Sequence, residues 1–388
     1  MNEGWWVKRD QLDPQQQAVM GLGLKASHLL LGPPGSGKTN LLLLRAAYLS
    51  RMGKKDLAVI VYTRTLKEFL EIGSSLYSLP PDRAMTSIGW AHDLLKRYGE
   101  SFRPSSNLSF EEHKKQVLER VQAMVSERKL ERVFDAILLD EAQDYSPTEI
   151  DLFRQLADVL FAAADPKQKI FDGEDSIETL KKACGGVSTL KFHYRNGPAI
   201  CRLADRLNKE DRSHERLESC CNYPETLLGP STVEVIGGKT VEEQAQVICE
   251  ALRFQIKAYP GALLGVMTPR REELRTIMQV LSKSDLADLA ALQLSGDHQP
   301  FSPERPICLT TMHSGKGLEF RALHIAGTDH LKSFELQRNM IFTAVTRAKT
   351  TLRVLYHRSI PGFLEKALST EPSTLISLDQ LFSDKVRS

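Results

Sequence analysis

Two short stretches hold the residues whose types and spacing could do chemistry. The first, GPPGSGKT at 32–39, has the form GxxxxGK[ST]. In the loop Gly32, Pro33, Pro34, Gly35, Ser36 and Gly37, the glycines Gly35 and Gly37 let backbone N–H groups curl around phosphates, and Lys38 can reach the β and γ phosphates. Thr39 supplies a hydroxyl for Mg²⁺, and Asn40 opens the apolar stretch NLLLLRAAYL, a helix whose N-terminus favours an anion. The second stretch, ILLDEAQDYS at 137–146, is an apolar run that ends in acids. Asp140 is the candidate second Mg²⁺ ligand, and Glu141 beside it is the candidate base for an attacking water. A solvated loop would also be charged. The phosphate loop upstream is what makes the pair a candidate site.

Such groups need strands to carry them to one edge. HLLLG (28–32), LAVIVYT (57–63), FDAILLD (134–140) and VLFAAAD (159–165) read as strands of a first sheet. STVEVIGG (231–238), ALLGVMT (262–268), RPICLTT (305–311), RALHIAG (321–327) and TLRVLY (351–356) read as a second. Helical patterns alternate with them, which predicts an α/β fold with parallel sheets. ACGGVSTLKFHYRNGPAI carries three glycines and a change of pattern, so two domains are expected, 1–188 and 189–388, the first with a small helical insertion at about 91–133. There is no low-complexity segment and no visible repeat.

The chain has 388 residues, room for two cores. Its 51 basic and 49 acidic residues leave a net charge of +2, so attraction to nucleic acid must come from a local patch. Six cysteines show no paired metal-ligand spacing and read as reduced core thiols. MNEGWWVKRD has no apolar signal core, and no run is long enough to span a bilayer. The expectation is a soluble, cytoplasmic protein with no membrane partner. Trp5 and Trp6 are expected to pack down the N-terminus, SERKLERV (126–133) to form a solvated helix face with i,i+4 pairs, and the amphipathic STLISLDQLFSD (373–384), in a tail from about 359, to pack on the second domain.

DEAQD at 140–144 resembles the Walker B motif of UvrD/Rep-like superfamily 1 helicases, and further motifs of that family follow in order between residues 12 and 356. LDPQQQAV (12–19) resembles the Q motif, which implies Gln16 on the adenine. VYTRTLKEF (61–69) is similar to motif Ia and TSIGW (86–90) to the next nucleic-acid motif, implying Thr63, Arg64 and Trp90 in a strand-binding channel. AADPKQKIF (163–171) resembles motif III, with Gln168 sensing the γ-phosphate. LKFHYRNGPAIC (190–201) resembles motif IV, with Tyr194 stacking on the base and Arg195 reaching the γ-phosphate. TTMHSGKGLEF (310–320) is similar to motif V, implying ATP contacts from Gly317 and Glu319 and nucleic-acid contacts from Thr311 and His313. IFTAVTRAKTTL (341–352) resembles motif VI, with Arg347 as the second arginine finger. The implied architecture is two tandem RecA-like P-loop domains with ATP and Mg²⁺ in the cleft between them. Arginine suits the far side of such a cleft, because its charge is permanent and its fork matches phosphate oxygens.

Some of these residues keep a plainly structural alternative: Tyr194 as a core aromatic, His313 as a turn cap, Trp90 as packing. The chain also departs from the family. The spans from Trp90 to Ala136 and from Arg195 to Arg305 leave room for a small first insertion and essentially no second. After motif III the chain reads DGEDS (172–176), without the aromatic that wedges between bases in many relatives; Phe171 is the nearest substitute. Ile88 and His193 stand where relatives often have histidine and asparagine. Two activities stay open. One is an ATP-dependent translocase or helicase on single-stranded nucleic acid, DNA by resemblance with RNA possible, and 3′ to 5′. The other is a nucleic-acid-stimulated ATPase switch that acts on a protein partner such as a nuclease. A kinase built on the same loop would leave DEAQD and both arginine motifs unused. Repair, recombination and defence against foreign DNA all fit.

Overall fold

Strands such as LAVIV and LGVMT are apolar at every position, the pattern of a strand covered on both faces, and both are buried throughout. The computed structural model describes residues 9–74, 77, 79–102, 110–169, 175–208, 215–294, 297–299, 302 and 304–369. Trp5, Trp6, Phe171, the start of DGEDS and the stretch STLISLDQLFSD lie outside the described residues.

The strands are β1 (His28–Leu31), β2 (Leu57–Val61), β3 (Ala84–Thr86), β4 (Phe134–Leu139), β5 (Ala157–Ala164), β6 (Gly186–Thr189), β7 (Thr232–Ile236), β8 (Leu264–Thr268), β9 (Ala290–Gln293), β10 (Ile307–Thr311), β11 (Phe320–Ile325) and β12 (Ala348–Leu355). They form two six-stranded sheets, ordered β3-β2-β4-β5-β1-β6 and β7-β12-β11-β8-β10-β9. Every pairing is parallel. This is the expected α/β architecture of two tandem RecA-like domains. β4, β5 and β1 are neighbours, so the loops leaving their carboxyl ends share one edge, where ligands bind in open α/β sheets.

The helices are α1 (Pro14–Met20), α2 (Lys38–Arg51), α3 (Arg64–Ser74), α4 (Ser87–Arg97), α5 (Phe110–Arg128), α6 (Pro147–Leu156), α7 (Ile177–Cys184), α8 (Pro198–Leu207), α9 (Glu225–Leu228), α10 (Val241–Ala258), α11 (Arg271–Leu281), α12 (Glu335–Val345) and α13 (Gly362–Leu368). Their starts follow local chemistry. Ser146 caps α6 in a reciprocal box with Glu149, and Pro147 takes the first helical position, where its missing N–H costs nothing. α4 packs on α5 and on β2 and β3. SERKLERV is not one solvated helix face: α5 ends at Arg128, and Lys129 and Arg132 turn the chain with positive φ. None of the described helices is long and apolar enough to cross a membrane.

One apolar cluster runs from Leu30 and Leu41 through Leu66 to Met312, Leu318 and Phe320, so the two sheets share a core across their junction. The outer face of each sheet has its own cluster. β6, at 186–189, spans residue 188 and closes the first sheet; the elements of the second begin with α8 and β7. α13 packs on α8, and Arg206 Nε donates to Ala367 O at 2.6 Å.

Candidate active site

β1 ends at Leu31, and the chain turns through residues 32–37 into α2. Gly35 has φ +75°, and a Cβ there would lie 2.5 Å from Arg195 Cβ. Glycine is what lets the distant arginine segment press on the loop, and Tyr194 N donates to Gly35 O at 3.0 Å. Lys38 Nζ donates to Gly32 O at 2.8 Å and Pro33 O at 2.9 Å, and Ser36 Oγ to Pro33 O at 2.8 Å. Burial pulls the Lys38 ammonium below its usual range, against the charges of Asp165 and Glu141. Thr39 Oγ1 donates to Asp140 Oδ2 at 2.9 Å. Two oxygen donors therefore meet at one point, a donor set that suits Mg²⁺. Asn40 Oδ1 accepts from Tyr77 Oη at 2.7 Å, so its side chain braces α2.

β4 delivers Asp140 and Glu141. Glu141 adopts φ 49°, a left-handed conformation uncommon outside glycine, and both acids line the same cleft. Gln143 Nε2 donates to Glu141 Oε2 at 2.6 Å, while Gln143 Oε1 accepts from Asp165 N at 3.0 Å. Burial and the adjacent Glu141 charge raise Asp140 above the ordinary carboxylate range. Glu141 is held below it: burial opposes ionisation, but Lys316, Arg347 and Lys38 together outweigh burial. A carboxylate kept ionised is what a general base requires.

From the second sheet, Glu319 and Arg347 stand just before β11 and β12. Arg347 is 2% exposed; its Nε donates to Thr343 O at 3.1 Å and its guanidinium bonds Gln168 Oε1 across the cleft. Burial, then the Arg195 charge, lower its pKa to about 10, which leaves it charged at neutral pH. Arg195 donates to Thr346 O at 3.3 Å and pairs with Glu319, which also holds Lys349 at 2.9 Å. Those two cations bring Glu319 to about 2 in spite of its burial. Glu319 thus lines the cleft while its carboxylate steadies Arg195. Gly317 is needed for close packing: a Cβ there would lie 2.6 Å from Leu66 Cδ2. Lys38, Thr39, Asp140, Glu141, Gln168, Arg195 and Arg347 all surround one cavity of about 30 Å³. Ligand pockets run to about 300 Å³ or more, so the cleft is closed in this conformation.

Gln16 stands beside the phosphate loop. Its Nε2 donates to Ser36 O at 3.0 Å and its Oε1 accepts from Asp13 N at 3.0 Å, so the amide ties the α1 cap to the phosphate loop. Tyr194 is half-buried beside it, and its hydroxyl donates to Asp13 Oδ2 at 2.6 Å.

Trp90 is not in a channel. It is 1% exposed on the inner face of α4, 4.8 Å from the Phe153 ring and 6.2 Å from Phe134. Helical spacing turns it inward with Leu94. Trp90→Ala is expected to cost about 3–5 kcal/mol of stability, read by denaturant unfolding, with nucleic-acid affinity unchanged at temperatures where the variant is folded. Thr311 is buried at the end of β10, where its hydroxyl accepts from Ser314 N at 3.2 Å and donates to Ser314 Oγ at 3.1 Å, a local turn. Thr63 caps α3 through Leu66 N at 3.1 Å and donates to Lys316 O at 3.4 Å. Arg64 is exposed and pairs with Glu68 at 3.0 Å.

Lys316 is the functional side chain that sequence reasoning passed over. It is 1% exposed and reaches from the second sheet to Asp144 Oδ2 at 2.5 Å, Gln168 O at 2.5 Å and Glu141 Oε2 at 3.7 Å. The signal was a lysine between two glycines in HSGKGLEF, a residue type that is seldom buried unpaired. Lys316→Met removes the cation from a buried pair and is expected to cost about 3–5 kcal/mol. Adding Asp144→Asn should recover much of that loss in a double-mutant cycle of denaturation midpoints.

A larger cavity of about 710 Å³ lies beside the cleft, between α5, the turn after β4 and α12. Lys114, Lys115, Lys169, Tyr62 and an exposed His313 line it, and Lys114 is paired with Glu149 at 3.0 Å while standing 5.3 Å from the Tyr62 ring. Glu119, Asp144 and Glu149 line it as well, so its three lysines are matched by three acids. Gln143 and Asp144 line it too, so it touches the catalytic loop.

The AAA domain family matches residues 15–174, and the UvrD-like helicase C-terminal domain family matches residues 306–355. No curated protein matches the chain. Among solved structures, the chain is similar to the C-terminal domain of a possible DNA helicase from Lactobacillus plantarum, 14% identical over 45% of this chain and 93% of that one, with a TM-score of 0.34. The chain thus carries an AAA domain in its first half and a UvrD-like helicase C-terminal domain in its second, and the two meet at one cleft.

Proposed function

We propose that the protein is an ATP-dependent translocase or helicase on single-stranded nucleic acid, with DNA as its track and 3′ to 5′ as its direction. The observation that carries this reading is the convergence of Arg195 and Arg347 with Lys38, Thr39, Asp140 and Glu141 on a single cleft between two parallel sheets. Bound ATP with Mg²⁺ supplies a γ-phosphate that both halves can grip. Lys38 and the loop amides would bind phosphate oxygens, Thr39 and Asp140 would hold the cation, and Glu141 would take a proton from the attacking water. Arg347 stabilises charge on the transferred group and, through Gln168, ties its state to the first sheet. Loss of the γ-phosphate frees both arginines, and the cleft opens. Repeated closing and opening would move a strand held in the Lys114, Lys169 and His313 groove.

A second reading, a nucleic-acid-stimulated ATPase switch acting on a protein partner such as a nuclease, is favoured by one observation. From α8 to β10 every described strand joins the second sheet, leaving no inserted domain there among the described residues. The test is steady-state ATP hydrolysis alone and with single-stranded DNA, single-stranded RNA or blunt duplex, followed by strand displacement from 3′-tailed and 5′-tailed duplexes. Stimulation with displacement of the 3′-tailed substrate supports the helicase. Stimulation without displacement supports the switch, and hydrolysis indifferent to nucleic acid overturns both.

A further inference from the structure

A second cluster of reactive groups lies behind the arginine segment. His193, just before Tyr194, Cys201 on α8 and Cys221 in the turn before α9 place their nitrogen and sulfur atoms within 4.8 Å of one another. All six cysteines are free; Cys201 is buried and Cys221 half-buried. Both of these sulfurs face one acceptor, Asn196 O, at 3.4 and 3.2 Å. His193 Nε2 lies 2.8 Å from Leu217 O and 3.7 Å from Cys201 Sγ. That nitrogen is engaged as a donor to a carbonyl, which leaves the lone pair on the buried Nδ1 and the two thiols beside each other.

We propose that Cys201 and Cys221 form a redox modification site, oxidised by a peroxide to a disulfide that displaces Arg195. The Cys221 thiolate attacks hydrogen peroxide, breaking the O–O bond and forming a sulfenic acid with release of hydroxide. The Cys201 thiol then attacks that sulfur, forming the S–S bond, and its proton leaves with the sulfenic hydroxyl as water. Hydrogen bonding between the two thiols pushes Cys201 up and draws Cys221 below its ordinary range, which favours thiolate at the sulfur nearer solvent. The coupling to Arg195 is covalent and short. Cys221 is bridged to His193, with His193 N donating to Cys220 O at 3.1 Å and Asn222 N to His193 O at 2.8 Å. Closing the sulfurs to about 2 Å draws this pair toward α8, and Arg195 is two residues from His193.

The effect on turnover rests on the ATPase reading; the disulfide does not. The full chain, treated with hydrogen peroxide and digested without reduction, should yield a peptide linked through Cys201 and Cys221. ATP turnover should fall by about a hundredfold, the cost of a misplaced catalytic group, and return with dithiothreitol. Cys201→Ser and Cys221→Ser should keep the reduced rate and lose the response. Two thiols that both remain open to alkylation after peroxide overturn the site, as does zinc retained in stoichiometric amount by the untreated protein. A disulfide with unchanged turnover overturns the link to Arg195. If untreated protein hydrolyses no ATP, the ATPase reading has failed, and the linked peptide still decides the site, as it does if the serine variants misfold.

Discussion

Arg347→Ala is expected to cut ATP turnover by about 10³–10⁵-fold, the usual worth of an arginine finger, while ATP affinity changes only a few-fold. The asymmetry follows from position. Arg347 is buried at the far wall of the cleft and its guanidinium rests on Gln168, so in the proposed mechanism its charge acts where charge develops and not where the nucleotide first docks. Arg347→Lys keeps a cation but loses the planar fork and should recover little. Steady-state kcat beside titration with a fluorescent nucleotide separates the two quantities. Equal losses in turnover and affinity would remove the finger role, provided the melting temperature shows that the variant still folds without the Nε bond to Thr343.

Glu141→Gln is expected to lower turnover by about 10²–10⁴-fold, the contribution of a positioned general base, with nucleotide and nucleic-acid binding retained. The substitution keeps the shape and removes the charge. In the wild type that charge is maintained by Lys316, Arg347 and Lys38 against the cost of burial, and Gln143 orients the carboxylate. A single-turnover assay on pre-bound ATP reads the chemical step alone. Hydrolysis at the wild-type rate would exclude Glu141 as the base and leave Asp165, also buried in this network and raised by that burial, as the next carboxylate to replace.

The strands that escaped sequence reading are β3, β6 and β9, and each stands at the edge of its sheet. β3 has three residues and β6 alternates between half-buried and exposed, so neither presents an apolar run. β9 lies in ADLAALQL, whose alanines and leucines favour a helix; pairing with β10 overrides that propensity. Eight of the nine remaining strands are interior, where a parallel strand is covered on both faces and reads as an apolar run; β7 stands at an edge and was visible from its β-branched residues, Thr232, Val233, Val235 and Ile236.

The phosphate loop, the Asp140–Glu141 pair and the α/β alternation could be read without coordinates, because each is a local pattern whose chemistry requires neighbouring residues. The same holds for the positions of Arg195 and Arg347, which the family resemblance supplied from short motifs in order. Partnerships between distant residues could not be read that way. Whether Trp90 faces a channel or Phe153, that Gln16 reaches Ser36, and what Lys316 neutralises depend on which surfaces the two sheets press together. Cys201 and Cys221 meet for the same reason: a parallel bridge at His193 lays one turn of chain against α8. Side-chain partners chosen by packing leave no mark on the spacing of residues along the chain.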